Sequence, residues 1–138
     1  MKKTFYTLIY ILIFNASFGQ EIPAKKGPEI TFLNMTFDYD TIERYSNGTR
    51  TFTFYNTGDE PLVIKKVKSG CSCTVPSYTK DTIPPLGRGE ISAGYNTRKY
   101  GSFNRELTVH SNATNGSVKI RIKGVVIDPK KKWGVERK

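Results

Sequence analysis

The chain has few of the residue types that most often carry metal or redox chemistry. Its 138 residues include two cysteines, one histidine, one tryptophan and two methionines. A single histidine, His110, excludes the paired-histidine arrangements of zinc hydrolases, and a closed zinc site wants four ligands. The cysteines, Cys71 and Cys73, stand one residue apart, so they cannot staple two distant strands. The lone tryptophan, Trp133, lies near the C-terminus and is not embedded in an apolar pattern. Sequences of the phosphate-loop, metalloprotease and serine-elbow types are absent. Long apolar runs are missing too. Thr4–Phe14 (TFYTLIYILIF) is an uncharged, mostly apolar run of eleven residues, well short of the roughly 20 needed to cross a bilayer as a helix.

That run is nevertheless informative, because Lys2 and Lys3 precede it and Asn15-Ala16-Ser17-Phe18-Gly19 follows. A positive start, a short apolar stretch and small residues at a cleavage site predict a signal peptide over residues 1–19. The expectation is an exported protein, periplasmic or extracellular, with no transmembrane span after cleavage. The 119 residues from Gln20 onward suffice for one domain with a real core. Residues 20–29 read as a linker, residues 30–127 as the domain and residues 128–138 as a basic tail.

Charge is uneven. The whole chain carries 22 Lys and Arg against 12 Asp and Glu. Five of those cations and one Glu fall in Lys130–Lys138 (KKKWGVERK). The body is therefore only mildly basic. It lacks the interleaved aromatics of a nucleic-acid face, and no nucleic-acid partner is expected.

Period-two alternation dominates the interior of the sequence. Phe52 and Phe54 alternate with threonines; Ile91, Ala93 and Tyr95 repeat the pattern, as do Leu107 with Val109, and Val118 with Ile120 and Ile122. His110 falls on the outward phase of its run. Pro61-Leu62-Val63-Ile64 is continuously apolar, which predicts a strand covered on both faces. An opening strand is expected over Ile30 to Phe37, with apolar residues on both phases. Ser46-Asn47-Gly48, Asn56-Thr57-Gly58-Asp59, Pro84-Pro85-Leu86-Gly87 and Asn112 to Gly116 supply the turns. About seven short strands without helices predict an all-β fold, a single antiparallel β-sandwich.

The order of motifs carries a resemblance. Phe37-Asp38-Tyr39-Asp40-Thr41-Ile42, Phe52-Thr53-Phe54-Tyr55-Asn56-Thr57-Gly58, Pro61-Leu62-Val63-Ile64, Cys71-Ser72-Cys73-Thr74, Ile83-Pro84-Pro85, Gly89-Glu90-Ile91, Ser111-Asn112 and Ile122-Lys123-Gly124-Val125-Val126 follow one another. This series resembles the exported bacterial family called domain of unknown function 1573. The resemblance implies an immunoglobulin-like sandwich of the major-sperm-protein and Hydin types. Two positions depart from the commoner family pattern. Ser72 and Asp40 stand where glycine is usual, and each puts a side chain where the backbone is expected to turn.

Cys71 and Cys73 admit several readings. On one strand their Cα atoms would lie roughly 6.6 Å apart, at the edge of the roughly 4.4–6.8 Å span of disulfides. The closed loop would contribute only about 1.6 kcal/mol. A disulfide, a soft-metal pair and a bend that packs its thiols all stay open. Lys119, Arg121 and Lys123 alternate on one strand and predict an outward basic stripe, which Lys130, Lys131 and Lys132 extend. Asp38 and Asp40 read as turn chemistry. No catalytic residue, metal site or cofactor is expected. The function predicted is a non-catalytic binding module of the cell envelope, recognising a protein, an anionic polymer or a glycan or lipid surface. The alternative is thiol-redox or soft-metal handling by Cys71 and Cys73.

Overall fold

The computed structural model describes residues 27–72 and 74–130. The predicted signal peptide, most of the linker, Cys73 and the tail from Lys131 lie outside the described residues. Eight strands follow one another: β1 (Ile30–Phe32), β2 (Thr36–Glu43), β3 (Thr49–Asn56), β4 (Ile64–Ser69), β5 (Thr74–Tyr78), β6 (Arg88–Tyr95), β7 (Gly101–Ser111) and β8 (Val118–Ile127). They form two four-stranded sheets, ordered β1-β3-β6-β5 and β2-β8-β7-β4.

The alternation read from the sequence places the core. Phe52 and Phe54 of β3, Ile91 and Ala93 of β6, Leu107 and Val109 of β7, and Ile120 and Ile122 of β8 all point between the sheets and are buried. Aromatic contacts knit the layers together. Phe37 meets Phe52 edge-on at 6.4 Å, and Tyr95 stacks on Phe103 at 3.9 Å. Gly89 and Gly124 make room for these rings. A Cβ on Gly89 would lie 2.3 Å from Phe54 Cζ, and one on Gly124 would lie 2.7 Å from Tyr39 Cβ.

Three expectations need correction in detail. The opening strand is two strands, because the chain leaves the first sheet after Phe32 and enters the second at Thr36. Apolar residues on both phases reflect that switch: Ile30 is buried from one sheet and Tyr39 and Ile42 from the other. The β-sandwich holds, with eight strands where about seven were expected, but one pairing, β2 with β8, is parallel and not antiparallel. Leu62 to Ile64 does not form a central strand. Leu62 makes an isolated bridge to Ile83, and Ile64 opens β4, which lies at a sheet edge. The run is apolar because Leu62 and Ile64 both plug the core where the chain crosses toward that edge.

Asn56 ties one end of the sandwich. It is fully buried, and its Nδ2 donates to the carbonyls of Glu60 (2.7 Å) and Ile83 (3.0 Å). Its Oδ1 accepts from the amides of Gly58 (3.0 Å) and Glu29 (3.3 Å). One amide side chain thus satisfies four backbone groups that would otherwise be orphaned on burial.

Candidate functional site

The second sheet has one face in the core and one in solvent. The outward residues follow from the register. β8 presents Lys119, Arg121 and Lys123 opposite Thr108, Glu106 and Asn104 of β7. β7 in turn sets His110 and Thr108 opposite Lys66 and Lys68 of β4. The predicted stripe on β8 is therefore one column of a wider face, and β4 adds two lysines two strands away, roughly 10 Å across at ordinary strand spacing. Between the columns, Lys68, Gly70, Asn104, Glu106 and Thr108 line an open groove of about 440 Å³.

Carboxylates temper this face. Glu106 lies between two cations, with Lys119 Nζ at 2.8 Å from Oε1 and Arg121 Nη2 at 3.3 Å from Oε2. These hydrogen bonds, first from Lys119 and then from Arg121, hold its carboxyl below the usual range. Lys123 Nζ lies 2.8 Å from Asp38 Oδ2. Asp38 is likewise lowered, first by that hydrogen bond and then by the amide of Asp40. Five cations and two carboxylates leave the face basic, and among the described residues neither Lys66 nor Lys68 has an ion pair.

β8 lies between β2 and β7, so its cations are not guards of a free edge. Lys66 and Lys68 belong to an edge strand, and the sequence reading did not single them out. Their signal was available: they alternate around the buried Val67.

Lys130 is exposed, and its backbone amide donates to Asp128 Oδ1 at 3.1 Å. Lys131 and Lys132 lie outside the described residues. His110 is half-buried, with its Nδ1 2.9 Å from Ser117 Oγ. Among the described residues, no three of His, Cys, Asp and Glu converge as a metal site would require.

The cysteine stretch sits where β4 hands over to β5. Gly70 N donates to Glu106 O at 3.4 Å, which continues the β4–β7 ladder past Ser69. Cys71 is half-buried, and its Sγ lies 3.8 Å from Thr74 Oγ1. Among the described residues there is no free thiol. Cys73 lies outside them.

At one end of the sandwich the β2–β3 and β6–β7 turns are bonded together. Thr97 Oγ1 donates to Ser46 O at 2.7 Å, and Tyr95 N donates to Gly48 O at 3.0 Å. Tyr39 Oη donates to the same Gly48 carbonyl at 2.6 Å, and burial raises the pKa of this phenol. Arg44 fixes the junction. Its Nε donates to Arg98 O (2.7 Å), its Nη1 pairs with Asp128 (3.0 Å), and its guanidinium lies over the rings of Tyr45 (4.8 Å) and Tyr100 (5.9 Å). The Arg44 bond lowers the Asp128 pKa, and the Lys130 amide adds to the effect. Sequence reading passed over Tyr45 and Tyr100 because turn aromatics carry no periodicity.

Two layered four-stranded sheets in this strand order form an immunoglobulin-like β-sandwich. Solved structures agree on the fold. A Porphyromonas gingivalis W83 protein of unknown function superposes with a TM-score of 0.64 at 13% identity, over 76% of this chain and 50% of that one. The ASH/PapD-like domain 7 of human CEP192 superposes with a TM-score of 0.61 at 11% identity, over 72% of this chain and 86% of that one. The secreted serine protease VesC of Vibrio cholerae does so with a TM-score of 0.55 at 13% identity, over 72% of this chain but 23% of that one. The chain thus spans half the length of the Porphyromonas protein. At these identities the likeness is one of fold alone. No curated protein matches the chain. Over residues 30–126 the sequence matches a family, and the chain belongs to it: Protein of unknown function (DUF1573).

Proposed function

We propose that this protein is an exported, non-catalytic binding module of the cell envelope whose partner is anionic and docks on the outer face of the second sheet. The observation that carries the reading is the cation lattice. Lys66 and Lys68 on β4 and Lys119, Arg121 and Lys123 on β8 flank an open groove, against only Glu106 and Asp38. A shallow basic face favours encounter with extended anionic surfaces over enclosure of a small molecule.

Features of the sheet edges support a face over an edge as the docking surface. β5 carries Pro76, which cannot donate a ladder bond. β4 carries three lysines and a register shift between Ile64 and Lys66. β2 shifts register between Asp38 and Thr41. The exposed start of β3 is capped by Arg50, whose Nη1 donates to Thr49 O at 2.8 Å. Each device blunts strand addition.

The test is titration with inorganic polyphosphate at several salt concentrations. Lys68→Glu with Lys119→Glu is expected to weaken binding at least tenfold without changing the melting temperature by more than a few degrees. Glu106→Gln, which unmasks two cations, is expected to tighten it. Binding that ignores salt and both changes would overturn the reading.

A further inference from the structure

The bonded turns at the Arg44 end have a different chemistry from the sheet face, and the geometry points to a second site there: we infer that they form a platform for an acidic saccharide. Tyr45 and Tyr100 are large aromatic side chains left 69% and 60% exposed. Each has one aspect toward the Arg44 guanidinium. Arg44 is itself immobilised by Arg98 O and Asp128. The rings are thus positioned in advance, and little side-chain entropy remains to be lost when a ligand stacks on them.

The rim of the platform decides the class of ligand. A protein hot spot places Tyr and Arg inside a ring of contacts that excludes water. Here the neighbours are exposed polar groups: Ser46, Asn47, Asn96, Arg98 and Lys99. Asn47 and Asn96 share one geometry. The Oδ1 of Asn47 accepts from Thr49 N at 2.9 Å, and that of Asn96 accepts from Arg98 N at 3.1 Å. Each carboxamide is fixed through its oxygen, and its Nδ2 donors are directed elsewhere. Flat apolar ring faces suit the C–H faces of a sugar, fixed amide donors suit its hydroxyls, and Arg98 and Lys99 suit a carboxylate. Glu43 and Asp128 also flank the site, and Asp128 is engaged by Arg44.

Tyr45 adds a backbone argument. Its φ is +66°, a left-handed conformation that costs a bulky residue energy. The fold holds a strained residue at the turn tip and spends it on presenting an exposed ring. Strain of this kind concentrates at ligand sites.

The platform uses other residues than the basic sheet face, so the two readings stand or fall separately. The experiment is an NMR titration of the isotope-labelled protein with a short oligouronate, beside a neutral oligoglucose and a short oligoglutamate. The expected result is a saturable set of shifts at residues 44–48 and 96–100, including the Asn47 and Asn96 side-chain amides. Tyr45→Asn removes the ring while tolerating the left-handed backbone. With Tyr100→Ala it is expected to weaken oligouronate binding at least tenfold, whereas Lys80→Glu, an exposed charge change in the β5–β6 loop at the other end of β6, leaves it within twofold. Shifts centred on the sheet face, equal binding of oligoglutamate, or no saturable shift at millimolar ligand would overturn the proposal. The wild-type shift map decides it even if the tyrosine variants unfold.

Discussion

Asp40 shows what one substitution does to a turn. It adopts φ +54°, and its amide donates a hydrogen bond to Asp38 Oδ1 at 2.9 Å. The β2–β8 register slips at this point. The commoner family residue, glycine, enters that region freely, whereas an L-residue with a Cβ pays for it. Aspartate is among the side chains that tolerate it best. Asp40→Gly is therefore expected to leave stability unchanged or raise it by up to about 0.5 kcal/mol, and Asp40→Ala to lower it by about 1 kcal/mol. Urea denaturation of the three proteins measures the difference. Equal midpoints would show that the left-handed backbone is not retained in solution. Ser72, the other departure from glycine, gives no such signal: it is exposed, and its φ is not in the left-handed region.

At the scale of elements, β8 is held by charge as well as by its ladders. Lys119 and Arg121 reach Glu106 on β7, and Lys123 reaches Asp38 on β2. Both carboxylates have pKa values lowered in the fold. Their contribution is complete above the ordinary carboxylate range and is lost as pH falls through the lowered folded values. All these groups are exposed, so the contribution is small and screened by salt. Stability measured from pH 6 down to pH 3 is expected to fall less steeply in Glu106→Gln than in the wild type. Parallel curves would remove Glu106 from the account. The elements themselves differed in how plainly the sequence displayed them. Phe52 with Phe54, Ile91 with Ala93, Leu107 with Val109 and Ile120 with Ile122 alternate because each strand has one wet face, and that pattern is local. The sheet switch after Phe32 and the parallel partner of β2 depend on pairing with β8, whose residues lie about 85 positions further along the chain, so no local pattern encodes them. The stripe on β8 was legible by the same alternation. Its counter-charges were not, since Glu106 and Asp38 meet it only through pairing.

For the whole molecule, the blunted edges make self-association the property to examine. Pro76, the β2 bulge, the Arg50 cap and the β4 lysines act at four different places. The protein is expected to sediment as a monomer at concentrations where an unprotected edge would pair. Lys66→Val with Lys68→Val removes the charge guard from β4 and is expected to produce dimers or larger species. A monomeric double variant would show that the register shift beside Ile64 is guard enough. The tyrosine platform illustrates a different limit on reading the sequence. Tyr45 and Tyr100 are 55 positions apart in two unremarkable turns, and only the bonded ends of two sheets bring them to one guanidinium.

The parallel pairing of β2 with β8 also has a mechanical consequence. Thr36 is level with Arg121 and Glu43 with Ile127, so the two strands run the same way. The segment before β2 and the segment after β8 therefore leave this pair at opposite ends. A pull applied to both would slide one strand along the other, loading their hydrogen bonds together. Antiparallel neighbours pulled from the same end would instead peel apart one bond at a time. The short β1 would detach from β3 first, and the β2–β8 pair would then bear the tension. A domain wired in this way is suited to standing in line with a tether.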